Sequence, residues 1–375
     1  MRMLKVLMLI PLLLFSLVGC AEQKLLENVG IAILVGYDLG DEGDLSNTAV
    51  IRQVNPDFES NIEIISAENQ TSKGTSSEIN RKSSKKVVTG QLRVALYGNE
   101  LAKEDGIGNS IQALSRDSNI SGSVYMAVVE SEAKTLLKYN YENITDIGQH
   151  IFKLLEQNIE EEQIISSTLH EVSHDYYSIG EDIAMPIISR EEELISISGV
   201  ALFKKGKMVG ELPAEDSFYM KLSRDRYHSG TFEALINNED FEKALMKDPP
   251  EKISVVLDTI KSESDLKLIK QSTPEFDLHI TVEARLLELN EEIDLGVPKN
   301  VAILEKAVSK SLSREISRVI TYCQEVNSDV FGLGSQYRSS VRNSNLTEEK
   351  WHEMYQKAKV NVQVDIKITR SGIWD

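Results

Sequence analysis

Cysteine is nearly absent: Cys20 and Cys323 are the only two in 375 residues. So few thiols exclude a disulfide framework or a cysteine-built metal cluster, and stability has to come from packed cores. Positive charge is also short. Lysine and arginine number 41 against 59 aspartates and glutamates, for a formal net charge of −18. That balance argues against nucleic acid as a partner, because phosphates need a basic face, and against broad attraction to anionic headgroups. Past residue 18 no apolar run approaches the ~20 residues that span a bilayer. Dinucleotide fingerprints and Ser/His/Asp nucleophile patterns are missing too.

What is present begins at the first residue. Arg2 and Lys5 give a positive start, and Val6 to Val18 is apolar apart from Pro11 and Ser16. This run suits a secretory signal and is short for a membrane span. It ends in Leu17-Val18-Gly19-Cys20, the pattern of a bacterial lipobox. A thiol is needed at the last position because diacylglycerol is attached through sulfur. A small residue is needed before it, where the peptidase grips the backbone. Residues 1–19 are thus expected to be a signal peptide. Cys20 is expected to carry the lipid as an S-diacylglycerol, N-acyl (palmitate) cysteine. At about 0.8 kcal/mol per buried methylene, two or more chains give firm anchoring where one is marginal. Cleavage takes the length from 375 to 356 and, with two basic residues lost, the charge from −18 to −20. That length predicts two or three domains.

Along the chain, Gly30–Tyr37 and Thr48–Val54 read as strands around an acidic turn. Asp38, Asp41 and Asp44 miss the alternate spacing of a calcium loop and read as solvated. Residues 69–85 are polar and read as a loop. Strand, helix, strand, helix follow over Gln91–Tyr97, Glu100–Arg116 (broken at Gly106), Ser123–Glu130 and a helix holding Ala133, Leu136 and Leu137. Ile195–Phe203 and Met208–Leu212 flank a glycine turn and read as a hairpin. A helical stretch runs on to about Leu222, and 223–252 is polar, charged and broken at Pro249-Pro250. Phe276 to Arg285 alternates as a half-buried strand. A long helix follows, with Asn300 as the expected cap and one apolar stripe from Val301 through Cys323 to Val326. Cys323, on that stripe, reads as a buried inert thiol. A second helix spans about Thr347–Ala358, and Val360 to Thr369 alternates as the closing strand.

Two motifs invite chemistry. His170-Glu171-Val172-Ser173-His174 fits the H-E-x-x-H pattern, in which two histidines one helical turn apart share zinc and the glutamate positions water. Asp175, Tyr177 and Gly180 depart from the protease continuations of that pattern. Asp329-Val330-Phe331-Gly332-Leu333-Gly334 looks like a phosphate loop, but its glycines are expected to end the long helix, where the dipole repels anions.

In order, several segments resemble one family. They are the lipobox at Cys20, Ile31–Gly36 with its acidic turn and Gln53-Val54-Asn55-Pro56, and Gly98-Asn99-Glu100-Leu101-Ala102 with Ser115-Arg116-Asp117. Pro186, Gly199-Val200-Ala201-Leu202-Phe203, the Asp329–Gly334 stretch, Trp351 and the last alternating strand continue the series. The chain resembles the Ger(x)C lipoproteins, the C subunits of the nutrient germinant receptors of endospore-forming bacteria. Ala21-Glu22-Gln23-Lys24 departs from the aromatic and charged cluster common in that family. The resemblance implies a multi-domain α+β fold, three domains each with a mixed or antiparallel sheet packed with helices. With the residue patterns it places an N-terminal α/β domain at 20–194, a middle domain at 195–265, and an α+β domain with the long helix at 266–375. It implies a non-catalytic, cofactor-free subunit, lipid-anchored on the outer, extracytoplasmic face of the spore inner membrane. Its partners there would be integral membrane A and B subunits, with no nucleic acid. The alternatives are an extracytoplasmic zinc hydrolase using His170, Glu171 and His174, or a free-standing solute-binding lipoprotein.

Overall fold

The structure, a computed structural model, describes residues 29–53, 61–225, 227–237, 250–291 and 293–369. The expected signal peptide and Cys20 lie outside these residues. The apolar run after residue 28 forms β1 (Val29–Leu39), antiparallel to β2 (Leu45–Gln53), which pairs with β3 (Asn61–Asn69). Where a loop is expected at 69–85, the chain forms helix α1 (Ser72–Lys82). Its apolar content is low, yet Thr71 caps it by accepting from Gly74 N at 3.0 Å, and Thr75 and Ile79 are buried. A cap and one buried stripe suffice here because tertiary contact overrides weak propensity.

The central layer follows as β4 (Lys86–Val88), β5 (Val94–Gly98), α2 (Asn99–Glu104), α3 (Gly108–Arg116), β6 (Tyr125–Val129), α4 (Ala133–Lys138), α5 (Ile147–Glu160), α6 (Leu169–Tyr177) and β7 (Ala184–Glu191). Gly106, at φ +84, makes the expected break between α2 and α3. Strands β1, β5, β6 and β7 are mutually parallel and covered on both faces, which is why they read as unbroken apolar runs. Ile79, Leu101, Ile111, Leu114, Leu169 and Val172 from α1, α2, α3 and α6 pack on one face. Leu136, Leu137, Ile151 and Leu155 from α4 and α5 pack on the other. The β8 (Leu194–Lys204) and β9 (Lys207–Pro213) hairpin extends this nine-stranded sheet, ordered β3-β2-β1-β5-β6-β7-β8-β9 with β4 beside β1.

Helix α7 (Asp216–Arg224) leads to a four-stranded sheet of β10 (Thr231–Asn237), β11 (Lys252–Lys270), β12 (Glu275–Leu289) and β13 (Lys359–Thr369). Strand β10 lies in the stretch expected to be merely polar. Its alternation is short, and it becomes a strand because Ala234 and Ile236 are buried on the second core. Helix α8 (Pro298–Glu325) crosses this sheet. Its cap position is Val297 with Pro298 as first residue, and the expected cap Asn300 instead donates its side chain to Asp294 O at 2.7 Å. Proline favours that position because its fixed φ is already helical and its missing N–H would be orphaned there.

The 28 residues of α8 run about 42 Å, longer than one sheet needs, and its stripe divides. Leu304, Val308, Leu312 and Ile316 cover the second sheet. Val319 and Cys323 pack with Ala184, Val200, Leu202 and Leu212 of the first. Cys323 is fully buried, and desolvation pushes its thiol pKa well up. The molecule is thus mixed α+β with two sheets and helices. The span 195–265, expected as a middle domain, contributes β8 and β9 to the first sheet and β10 and most of β11 to the second. The expected boundary at 265/266 falls inside β11, so by sheets the chain divides between β9 and β10.

Candidate functional site at the joint between the sheets

After α8 the chain turns at Asn327 (φ 58) and Gly332 (φ 69) and starts helix α9 (Leu333–Ser340). Gly332 and Gly334 therefore open a helix and do not end the long one. The anion such a helix start attracts is supplied by the chain itself. Asp329 is fully buried, and its carboxylate accepts from Leu333 N at 3.1 Å, Gly334 N at 2.8 Å and Trp351 Nε1 at 2.8 Å. Trp351 lies on helix α10 (Glu348–Tyr355). Burial pushes Asp329 up to about 7, against the lowering effect of its three donors.

The same residue reaches the first sheet. Asp182, just before β7, donates its backbone N–H to Asp329 O at 2.9 Å, and its carboxylate accepts from Asp329 N at 2.8 Å. Burial raises Asp182 to about 6, while nearby His352 acts in the opposite direction. His352, on α10, presents Nε2 to Asp182 at 3.6 Å and to Glu348 at 3.4 Å. Its Nδ1 faces Asn327; with that amide turned to suit both neighbours, Asn327 donates to Nδ1 at 3.2 Å and accepts from Lys204 Nζ at 2.7 Å. Nδ1 then accepts, and Nε2 faces the two carboxylates. Ser328 Oγ donates to Phe203 O at 2.6 Å, and Tyr355 Oη donates to Ser328 O at 2.9 Å.

Backbones also meet here. A Cβ on Gly334 would lie 2.5 Å from Gly180 Cα and 2.6 Å from Trp351 Nε1, so only glycine fits. Chemically, the joint locks two halves through buried, hydrogen-bonded carboxylates whose proton affinity lies near neutrality. Sequence reading singled out the Asp329–Gly334 stretch and Trp351 separately, and the fold brings them within one hydrogen bond. Asp182 and His352 carry no local pattern that marks them.

The H-E-x-x-H residues fall on α6 as expected, but the Glu171 and His174 side chains serve other partners. Glu171 closes a capping box, accepting from Thr168 N at 2.8 Å and from Ser166 Oγ at 2.7 Å. His174 faces Asp175 at 3.2 Å and Glu181 at 3.5 Å, and His170 is exposed outside that group. Among the described residues, His174–Asp175–Glu181 and Asp182–Glu348–His352 are the triplets close enough to share an ion. In the second, Asp182 already accepts from two backbone N–H groups. Asp38 departs from the expected solvated turn: it is buried and accepts from Ala133 N at 2.7 Å and Lys134 N at 2.8 Å, with its pKa raised by burial to about 6.

Fold and joint together define a class: a two-sheet α+β protein whose halves are closed by a carboxylate-bound helix start. Residues 22–190 match the spore germination protein N-terminal domain, and 198–372 match the spore germination B3/GerAC-like C-terminal domain. The chain belongs to this family, the Ger(x)C family of spore germination proteins. It is similar to spore germination protein GerQC of Bacillus cereus, 28% identical over 358 residues that span 95% of this chain and 96% of the relative. The crystal structure of the GerBC protein shares the fold, with a TM-score of 0.56 at 16% identity over 89% of this chain and 96% of that one. The matched segments part between 190 and 198, across the turn of the β7–β8 hairpin.

Proposed function

We propose that this chain is the lipid-anchored, non-catalytic C subunit of a spore nutrient-germinant receptor. The observation that carries the reading is positional. Family-matched sequence begins at residue 22, two residues after the lipobox cysteine, and runs in two segments to residue 372. Cys20 attaches the body to the outer face of the spore inner membrane, where it assembles with integral membrane A and B subunits. Among the described residues no helix is long and apolar enough to cross a membrane. The body's role is mechanical: two sheets held rigid at the joint present a fixed surface to membrane partners.

Spores carrying Cys20→Ala test this. The expected result is release of the protein from the inner-membrane fraction and a strong loss of nutrient-triggered germination. Full membrane retention with normal germination would overturn the anchor.

A further inference from the structure

A cavity of about 470 Å³ opens on one helical face of the first sheet, remote in sequence from the joint. Ala32, Val35 and Tyr37 of β1 and Asn47 and Ala49 of β2 line it, with α1, α3 and residues 117–120 forming its walls. Its size falls in the range of small-molecule sites, about 300–1,000 Å³. Tyr37 stacks on Tyr97 at 5.3 Å between centroids, which stiffens one wall.

Asn47 is the informative residue. It is 3% exposed, and its amide NH₂ donates to Thr75 Oγ1 at 2.6 Å. Thr75 gives its own hydroxyl proton to Ser72 O at 2.8 Å, so it can only accept from Asn47. Among the described residues Asn47 Oδ1 has no partner. A buried acceptor with nothing to accept is costly, and leucine would fill the same volume without that cost. The unmet need is for a donor, and Asn47 is one of the residues that line the cavity.

The surroundings define what that is. Much of the lining is apolar (Ala32, Val35, Ala49, Ile79) or neutral and polar (Ser76, Thr89). Charge in the lining is confined to Lys73 of α1, Arg116 of α3 and Asp117 just after it. An ammonium brought to Oδ1 would lose its hydration, and the one lining carboxylate, Asp117, already accepts from Asn119 N at 3.0 Å and Asn119 Nδ2 at 2.8 Å, whereas a hydroxyl or neutral N–H would lose little.

We propose that this cavity is a binding site for a small uncharged molecule with an apolar body and a hydroxyl or N–H group that donates to Asn47 Oδ1. The occupant bridges α1 to the β1–β2 hairpin and holds the helix down. This inference stands apart from the receptor assignment, since it concerns a cavity that any role of the chain would leave in place.

Hydrogen exchange of the full chain in membrane vesicles tests it with matched probes. Cyclohexanol supplies the body and the donor; cyclohexylamine is charged at neutral pH; methoxycyclohexane lacks the donor. With cyclohexanol about tenfold above its Kd, exchange in 72–82 is expected to slow about tenfold, and the other two probes should give little protection. Asn47→Leu should remove the response while the protein stays folded. Ser76→Phe, which fills the cavity and leaves the Asn47–Thr75 bond, should remove it as well and carries the test if Asn47→Leu fails to fold. Equal protection by all three probes, none by cyclohexanol, or a response that survives either folded variant would overturn the proposal and leave Oδ1 to water.

Discussion

The first sheet and the joint solve one problem in the same way and to different ends. Asp38 binds the first two N–H groups of α4, and Asp329 binds the first two of α9. Both carboxylates are buried, and burial raises both pKa values, to about 6 and about 7. Asp38 works within one sheet layer: it fixes α4 against β1, under a Gly98 backbone close enough that a Cβ there would collide with its carboxylate. Asp329 adds Trp351 Nε1 and the backbone of Asp182, and so spans both halves. The motif is identical at the helix; what it is connected to decides whether it stabilises a layer or couples two.

The comparison breaks most visibly at Trp351. Trp351→Ala removes a 1%-exposed ring packed with Phe276, Leu333 and Tyr355, and with it one donor to Asp329. A loss of about 3–5 kcal/mol is expected. Because the lost contacts hold the joint, calorimetry should show one transition splitting into two. A single, merely lowered transition would mean that the joint does not couple the halves. Asp38→Ala should cost less, about 1–2 kcal/mol, by orphaning two N–H groups at a helix start. Urea unfolding of this variant is expected to stay cooperative, and a split transition here would erase the distinction between the two sites.

Much of the fold is legible in the sequence. The parallel strands announce themselves as apolar runs, and the β1–β2 hairpin, β8–β9 hairpin, long helix and closing strand carry clear periodicity. What escaped has physical reasons. Helix α1 is polar nearly all round and is held by Thr71, Thr75 and Ile79, a pattern too sparse to stand above loop composition. Asp38 reads as solvated because its two donors lie some 95 residues away. The glycines at 332 and 334 look like a helix end because α8 stops only a few residues before them, and the new helix is recognised by its internal anion, which no spacing rule contains. Asp182 meets Asp329 across 147 residues, a contact set by where α8 delivers the chain after crossing both sheets.

The finest difference between the two carboxylates is the pH at which the contribution of each stops falling. Their native pKa values lie above the ordinary value of 3.8, so each favours the folded state fully below that value. The pH-dependent part of that contribution is lost as pH rises through about 6 for Asp38 and about 7 for Asp329. Replacement by asparagine removes the titration and keeps the size of the side chain. The stability advantage of wild type over Asp38→Asn should therefore shrink with rising pH and level off near 6, and its advantage over Asp329→Asn should keep shrinking to near 7. Urea midpoints across this range measure both. Asp182, raised to about 6 and bonded to the Asp329 backbone, ties the second curve to the joint, so Asp182→Asn should shift where it levels off while leaving the Asp38 curve in place. Equal level-off points, or an advantage that grows with pH, would show that connection to a second sheet does not alter how a helix-bound carboxylate holds its proton.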